Sequence, residues 1–332
     1  MKYLYRMDQL TSRHMPATIL LCAAVGIALP GVFSPLGALV PALFFLVTFS
    51  NSLSAGFREM GQVILHPLPV LVVFFILHVL MPVLAFGTGS LLFPDEPYFI
   101  TGLVLEFAVP TGVLALVWIG LCRGNTPMAL SIILLDTLLA PLVIPTTLRL
   151  LLGSVVEIDA VGMIRDLLYM IAIPALIGMA LYQATGGKIS KTLKPRLSPF
   201  SKICMLIIFV CNAADCSKFL YEIDRSLILL ILSVFGLCVL SFFISFCAAR
   251  LLKLDFPSIQ TMTLAGGMRN ISAGSVLAMQ YFPSESLFPV AFTPMFLHLV
   301  VALVVQAMRR TALGRADQAA YERHLEETPL SP

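Results

Sequence analysis

The sequence predicts an all-α integral membrane protein of ten transmembrane helices. They form two inverted five-helix repeats whose discontinuous fourth and ninth helices cross. Three observations carry this reading: the composition, the count of apolar runs between one-sided basic residues, and paired interruptions in corresponding helices. Of 332 residues, 59% are hydrophobic and 12% charged, against roughly 45–50% and about 25% in soluble chains. Mean hydropathy is +0.96. So few charges cannot cover a soluble fold of this size, and collagen-like, disordered and disulfide-framework classes are excluded as well. The net charge of +3 does not point to nucleic acid, because the basic residues fall where a bilayer would place them. The seven cysteines (Cys22, Cys122, Cys204, Cys211, Cys216, Cys238 and Cys247) lie in or beside apolar runs without metal-ligand spacing. They read as small hydrophobes.

A bilayer crossing takes about 20 apolar residues. Dividing the chain at its charges and Pro/Gly clusters gives ten candidates: 16–33, 36–54, 67–90, 97–121, 126–152, 163–185, 198–218, 225–252, 255–282 and 286–310. The first follows Lys2, Arg6 and Arg13 in the manner of a signal peptide. Ala28-Leu29-Pro30 is a poor cleavage site, however, so the run reads as a retained helix. With a cytoplasmic N-terminus, sixteen of the 21 Lys and Arg residues face the cytoplasm. Only Arg149, Arg165, Lys218 and Arg225 lie opposite, and Arg269 is left inside the membrane. This bias predicts both termini cytoplasmic in a plasma (inner) membrane. The acidic turn Glu157–Asp159 divides the helices five and five, giving repeats 1–157 and 158–310 and a polar tail 311–332. An odd number of helices per repeat inverts the second against the first. Pro110-Thr111-Gly112 interrupts the fourth helix, and Gly266-Gly267-Met268-Arg269-Asn270 interrupts the ninth. Paired breaks of this kind mark a midplane binding site.

Charges inside a bilayer cost at least about 2.5–3.5 kcal/mol each and ask for a reason. Arg269 follows a Gly-Gly pair that can expose carbonyls and precedes Asn270 and Ser272. It is either a clamp for an anionic group or the fixed partner of a buried carboxylate. Asp136, mid-helix on the face of Ala129 and Ile133, is the first choice for that carboxylate or for a protonatable coupling group. Glu106 is the second. Asp215 reads as a solvated helix end. His78 and His298 are hydrogen-bonded packing residues or proton relays. With no His-x-x-x-His pair, nucleophile elbow, Walker loop or zincin motif, no metal site and no enzymatic chemistry are expected. The substrate-binding candidates are Arg269, Asn270, Thr111, Gly112, Gly267, Ser272 and His298. Coupling or charge balance falls to Asp136, Glu106 and His78.

Four stretches resemble the bile acid:sodium symporter family. His66-Pro67 with Met81-Pro82 is similar to its HP…MP helix. Pro110, Arg123-Gly124 and Thr137-Leu-Leu-Ala-Pro141 resemble CPGGTASN…RG(D/N)VALS…STLLAP without gaps. Gly267-Met268-Arg269-Asn270 resembles the G-M-Q-N core of the ninth helix, and His298 is similar to the histidine of W-H-N. The resemblance runs from about Pro16 to Ala307. It implies a ten-helix fold with a panel domain and a core domain, the core holding two discontinuous helices that cross at the midplane. The family's sodium ligands do not carry over: their positions hold Ala115, Leu116, Ala129, Ile133, Leu77, Ala265 and Arg269. Sodium wants several hard oxygen donors, so the resemblance implies dismantled sodium sites, with a guanidinium standing where an ion would sit.

These readings predict a secondary transporter of a small organic anion, a carboxylate or sulfonate-type metabolite, working by alternating access. The lipid bilayer and the anionic substrate are its partners. No cofactor is expected, with a proton as the coupling ion or none. The alternatives are sodium coupling through rearranged sites, a non-transporting membrane sensor of the same fold, and an intramembrane enzyme using Asp136 and another carboxylate.

Overall fold

The computed structural model describes residues 15–60, 67–221, 224–310, 315, 316, 318 and 319. Lys2, Arg6, Arg13, His66, Arg323 and most of the tail after Arg310 lie outside the described residues. Twelve helices organise the rest: α1 (Met15–Ala28), α2 (Pro30–Ser52), α3 (Pro67–Leu92), α4 (Pro97–Ala108), α5 (Leu114–Leu121), α6 (Thr126–Leu152), α7 (Ala160–Ala184), α8 (Lys194–Tyr221), α9 (Arg225–Leu251), α10 (Phe256–Gly267), α11 (Ile271–Tyr281) and α12 (Ser284–Arg310). Short helical pieces at Phe57–Met60 and Lys188–Thr192 link them. Seven of these helices, α2, α3, α6, α7, α8, α9 and α12, are long and apolar enough to cross a membrane. The expected runs 97–121 and 255–282 are each divided, into α4 with α5 and α10 with α11.

Helix starts follow local chemistry. Asn125, Asp159, Asp224, Asp255 and Asn270 each accept a hydrogen bond from a backbone N–H in the first turn they cap, satisfying donors that have no partner inside the helix. Proline opens α3, α4 and α6 in the first turn, where its missing N–H costs nothing.

Two prolines inside helices have a different effect. Pro82 cannot donate to the turn before it, and residues Ile76–Leu80 widen into a π-helical turn. Met81 N–H reaches back to Ile76 O. The carbonyl of Leu77 is thus bypassed by Met81, and Pro82 has no N–H to offer it. Pro174 sits identically beside the π turn Leu168–Ala172, where Ile173 N–H bonds Leu168 O.

Packing separates the helices into two groups. In one, α8 lies along α1 and α2, and α7 lies along α2. In the other, α3 packs on α4, α9 on α10, and α4 and α10 on α6. The second group holds the larger share of buried side chains, among them Leu103, Leu105, Ile132, Ala265 and Leu264, all fully buried.

The two breaks meet. Val109 is extended (ψ 153°), as the residue before a proline must be, and Met268 is extended at φ −96°, ψ 122°. Thr111 and Arg269 form an antiparallel bridge. Gly112 N–H donates to Met268 O at 3.1 Å, and Asn270 N–H to Pro110 O at 2.7 Å. Unwinding is narrower than the sequence suggested at the second break. Gly266 and Gly267 stay helical, and only Met268–Asn270 leave the helix. These glycines serve close packing and do not open the backbone: a Cβ on Gly267 would lie 2.1 Å from the Phe242 ring. Gly112 is needed for the crossing itself, since its Cβ would come within 2.6 Å of Arg269 O.

Gly267→Ala is therefore expected to destabilise the protein by about 1–3 kcal/mol through overpacking. Gly236→Ala, at a site with nothing within 4 Å of the new Cβ, is expected to be neutral or to stabilise by up to about 1 kcal/mol through helix propensity. Thermal unfolding of both purified variants beside the parent checks the contrast. Equal effects would remove the packing role of Gly267.

Candidate functional site at the helix crossing

A cavity of about 320 Å³ lies between the two helix groups. One wall comes from α2, α7 and α8, with Phe44, Thr48, Asn51 and Ile171 among its residues. The other comes from the breaks, α5, α6 and α12. Of the substrate-binding candidates, Gly112, Arg269, Asn270, Ser272 and His298 line it. His298 also stacks on Trp118 of α5, with ring centroids 6.5 Å apart. The first residues of α11 and α5 border the cavity, so two helix N-termini lend it positive potential.

Thr111 and Gly267 are brought to the crossing but not to the cavity. Thr111 is fully buried. Its Oγ1 donates to Ala265 O at 3.0 Å and its N–H to Asp136 Oδ2 at 2.6 Å. Glu106, Asp136 and His78 also stand behind the cavity wall, in the packed interior. Glu106 lies beside the Thr293 hydroxyl, and its Oε2 has no hydrogen-bond partner among the described residues.

Arg269 is 4% exposed. Nη1 donates to Leu77 O and Nη2 to Ser241 Oγ, both at 3.4 Å, and the guanidinium carbon lies 5.8 Å from the centre of the Phe107 ring. None of these three partners lines the cavity. The guanidinium therefore points into the helix group of α3, α4 and α9, and does not act as a clamp on the cavity in this conformation. The expected contact with Asp136 is not formed either. Asp136 Oδ1 is taken by His78 Nε2 at 2.6 Å and Oδ2 by Thr111 N–H. The reason is geometric. The π turn frees the Leu77 carbonyl toward Arg269 and turns the His78 ring toward α6, so one defect gives each ion a partner of its own, while Arg269 Nε has no hydrogen-bond partner among the described residues.

The positions matching the family's sodium ligands offer almost no side-chain oxygen. Ala115, Ala129, Ala265 and Leu77 are fully buried alkyl groups, and Ile133 is 5% exposed. The Arg269 guanidinium reaches one of these positions, at the carbonyl of Leu77. These residues do not fit a sodium ion.

The basic residues on the cavity were not recognised as a site from the sequence. Lys194, Ser198, Ser201 and Lys202 line it from α8, followed by Met205 and Phe209. Lys194 Nζ donates to Ser54 Oγ. Both lysines had been counted only as part of the cytoplasmic basic set. The signal was present, since spacings of four, seven and eight residues put these four polar side chains on one helical face. Asp215 was read as a solvated helix end, and it accepts a hydrogen bond from Ser34 Oγ in an exposed contact.

The fold, the crossing and the cavity can be set beside known proteins. The model of the Sodium Bile acid symporter family matches residues 40–223. The chain belongs to this family. It is 36% identical over 281 residues to the uncharacterized protein YbaS of Bacillus subtilis (strain 168), covering 85% of this chain and 92% of that one. It is 22% identical to the uncharacterized sodium-dependent transporter YocS of the same organism, over 82% and 84% of the two chains. The probable sodium/metabolite cotransporter BASS1, chloroplastic, of Oryza sativa subsp. japonica is 25% identical, over 84% of this chain and 68% of that one. The family is one of transporters, so the chain is a multi-pass membrane transporter and not an enzyme.

Partner choice at the crossing makes a measurable difference. A stability cycle over His78→Ala and Asp136→Ala should show a coupling energy of about 0.5–3 kcal/mol, as for side chains in direct contact. The same cycle over Arg269→Ala and Asp136→Ala should show the smaller coupling, because those two side chains share no hydrogen bond. Unfolding midpoints of the single and double variants decide this, and the reverse order would put Asp136 back on Arg269.

Proposed function

We propose that the protein is a secondary transporter of a small organic anion of carboxylate or sulfonate type, moving it by alternating access of one helix group against the other. In this reading ten spans form two inverted five-helix repeats, 1–157 and 158–310, with the tail 311–332 and both termini on the cytoplasmic side of the plasma membrane. The lysine-bearing face of α8 across from the two helix N-termini carries the reading. That cavity pairs Lys194 and Lys202 with Asn270, Ser272 and the first residues of α5 and α11 that border it. An anion gains from each of these, and a cation is repelled by both lysines and both helix N-termini. Arg269 contributes potential from behind the wall.

YocS and BASS1 carry sodium in their printed names, and membership of the family would extend sodium coupling to this chain. The side chains oppose it. Alkyl groups replace the oxygen donors, and Arg269 sets a fixed positive charge among them, so a sodium ion entering there would meet repulsion and little coordination. Sodium coupling through rearranged sites is the competing outcome, and the same experiment separates the two.

The test is uptake into proteoliposomes of a panel of labelled carboxylates and sulfonates, in sodium and in choline buffers. At least one anion should accumulate with a rate that differs less than about tenfold between the buffers, equivalent to 1.4 kcal/mol. Lys194→Gln and Lys202→Gln should each raise KM for that anion more than they lower kcat. Saturable sodium stimulation beyond tenfold would restore sodium sites. No uptake of any anion would favour a sensor of the same fold.

A further inference from the structure

The pair formed by His78 and Asp136 has features that charge balance alone does not require. It is enclosed, with the His78 side chain 8% exposed and Asp136 at 0%. Oδ2 accepts from Thr111 N–H, and Oδ1 lies against His78 Nε2, each at 2.6 Å. The bond from Thr111 N–H favours the ionised carboxylate, and an ionised oxygen can only accept, so the ring proton of a neutral His78 sits on Nε2. The other ring nitrogen, Nδ1, is buried and has no hydrogen-bond partner among the described residues. A bare lone pair enclosed in this way is costly unless it has a use.

The surroundings connect this nitrogen to the crossing. The π turn of α3 is packed by α4, α6 and α9. The charged and titratable groups on that side are Asp136 from α6, Arg269 from the α10–α11 break, Glu106 from α4 and Cys238 from α9, all within electrostatic reach of Arg269. Asp136 holds the first break through Thr111, and Thr111 in turn holds the end of α10 through Ala265 O. Whatever changes the charge on Asp136 is therefore felt by both broken helices.

We infer that His78 and Asp136 form a proton-binding site, with His78 Nδ1 as the atom that takes the proton and the Asp136–Thr111 hydrogen bond as the link to the helix crossing. The inference rests on the transporter reading only for its use in transport. A proton moves from water to the Nδ1 lone pair, giving an imidazolium that still donates Nε2–H to Asp136. No other bond forms or breaks, and release is the reverse step. The imidazolium draws the carboxylate charge toward Oδ1, so Oδ2 becomes a poorer acceptor for Thr111 N–H and the break loosens. The crossing would thus gain one positive charge on protonation and lose it on release, and do so without a metal ion.

The experiment needs no substrate. Histidine 15N spectra of the purified full chain in nanodiscs are followed from pH 5 to 9, using a variant in which His14, His66, His298 and His324 are replaced by Gln, so that His78 alone reports. The dyad itself is untouched in that variant, and its thermal unfolding midpoint beside that of the parent shows whether loss of the His298–Trp118 stack leaves the fold intact. The expected result is a change from a singly to a doubly protonated ring within this range. Backbone amide exchange over residues 109–113, corrected for the intrinsic pH dependence of exchange, should speed up at least threefold with the same midpoint. Asp136→Asn should abolish the joint midpoint. A ring that keeps one protonation state across the range would overturn the proton site. A ring that titrates while the exchange of 109–113 stays flat would overturn the link to the crossing. Neither outcome depends on which anion is transported, so failure of the transport reading is seen separately.

Discussion

Two helices that stop inside a packed apolar interior expose backbone N–H and C=O groups where no water is at hand. Each unsatisfied group would cost several kcal/mol. The rest of this structure is arranged around meeting that demand. The breaks satisfy one another: Gly112 bonds Met268, Asn270 bonds Pro110, and Thr111 bridges Arg269. What remains is met by side chains brought from other helices. Asp136 takes Thr111 N–H, and Ser241 donates to Gly266 O at 2.7 Å. Such a junction tolerates few neighbours. Gly112 cannot carry a Cβ without striking Arg269 O, which explains the glycine at that position.

A second irregularity makes the first possible. The π turn in α3 exists because Pro82 removes one donor and Met81 bypasses the next carbonyl. The freed carbonyl of Leu77 accepts from Arg269, and the adjacent His78 reaches Asp136. The two buried ions of opposite sign are thereby held apart, each on its own hydrogen-bonding partners, though they remain close enough to feel one another. A direct Arg269–Asp136 pair would have used the carboxylate that now supports Thr111, leaving that backbone N–H unmet. Satisfying the backbone wins over forming the shortest ion pair.

This arrangement also bears on how a member of a sodium symporter family manages without the usual oxygen donors. A fixed guanidinium supplies positive charge at the crossing, and buried Ala115, Ala129 and Ala265 fill volume that donors would otherwise occupy. The cavity lies in front of this layer, so the residues that line it, Lys194, Lys202, Asn270 and Ser272 among them, are separate from the buried guanidinium, Asp136 and His78.

The sequence by itself determined the membrane class, most helix boundaries, the place of both breaks and the family. These follow from composition, apolar run length and Pro/Gly position, all local along the chain. The spans expected at 126–152 and 225–252 agree with α6 and α9 to within a residue. It also singled out the residues of the crossing, because an ionisable group in an apolar run stands out against its neighbours. It did not tell which of them touch. The sequence matches Asp136 to Arg269 through its charge, its place on the helix after the first break and its face shared with Ala129 and Ile133, and the π turn that gives it to His78 depends on how Pro82 is accommodated in the packed helix. Lys194 and Lys202 read as loop-side basic residues until α8 was laid along α2 and turned their shared face into the cavity. Pairing and exposure are set by the rotation and register of packed helices. Those are decided by contacts between residues distant in sequence, and only the tertiary structure contains them.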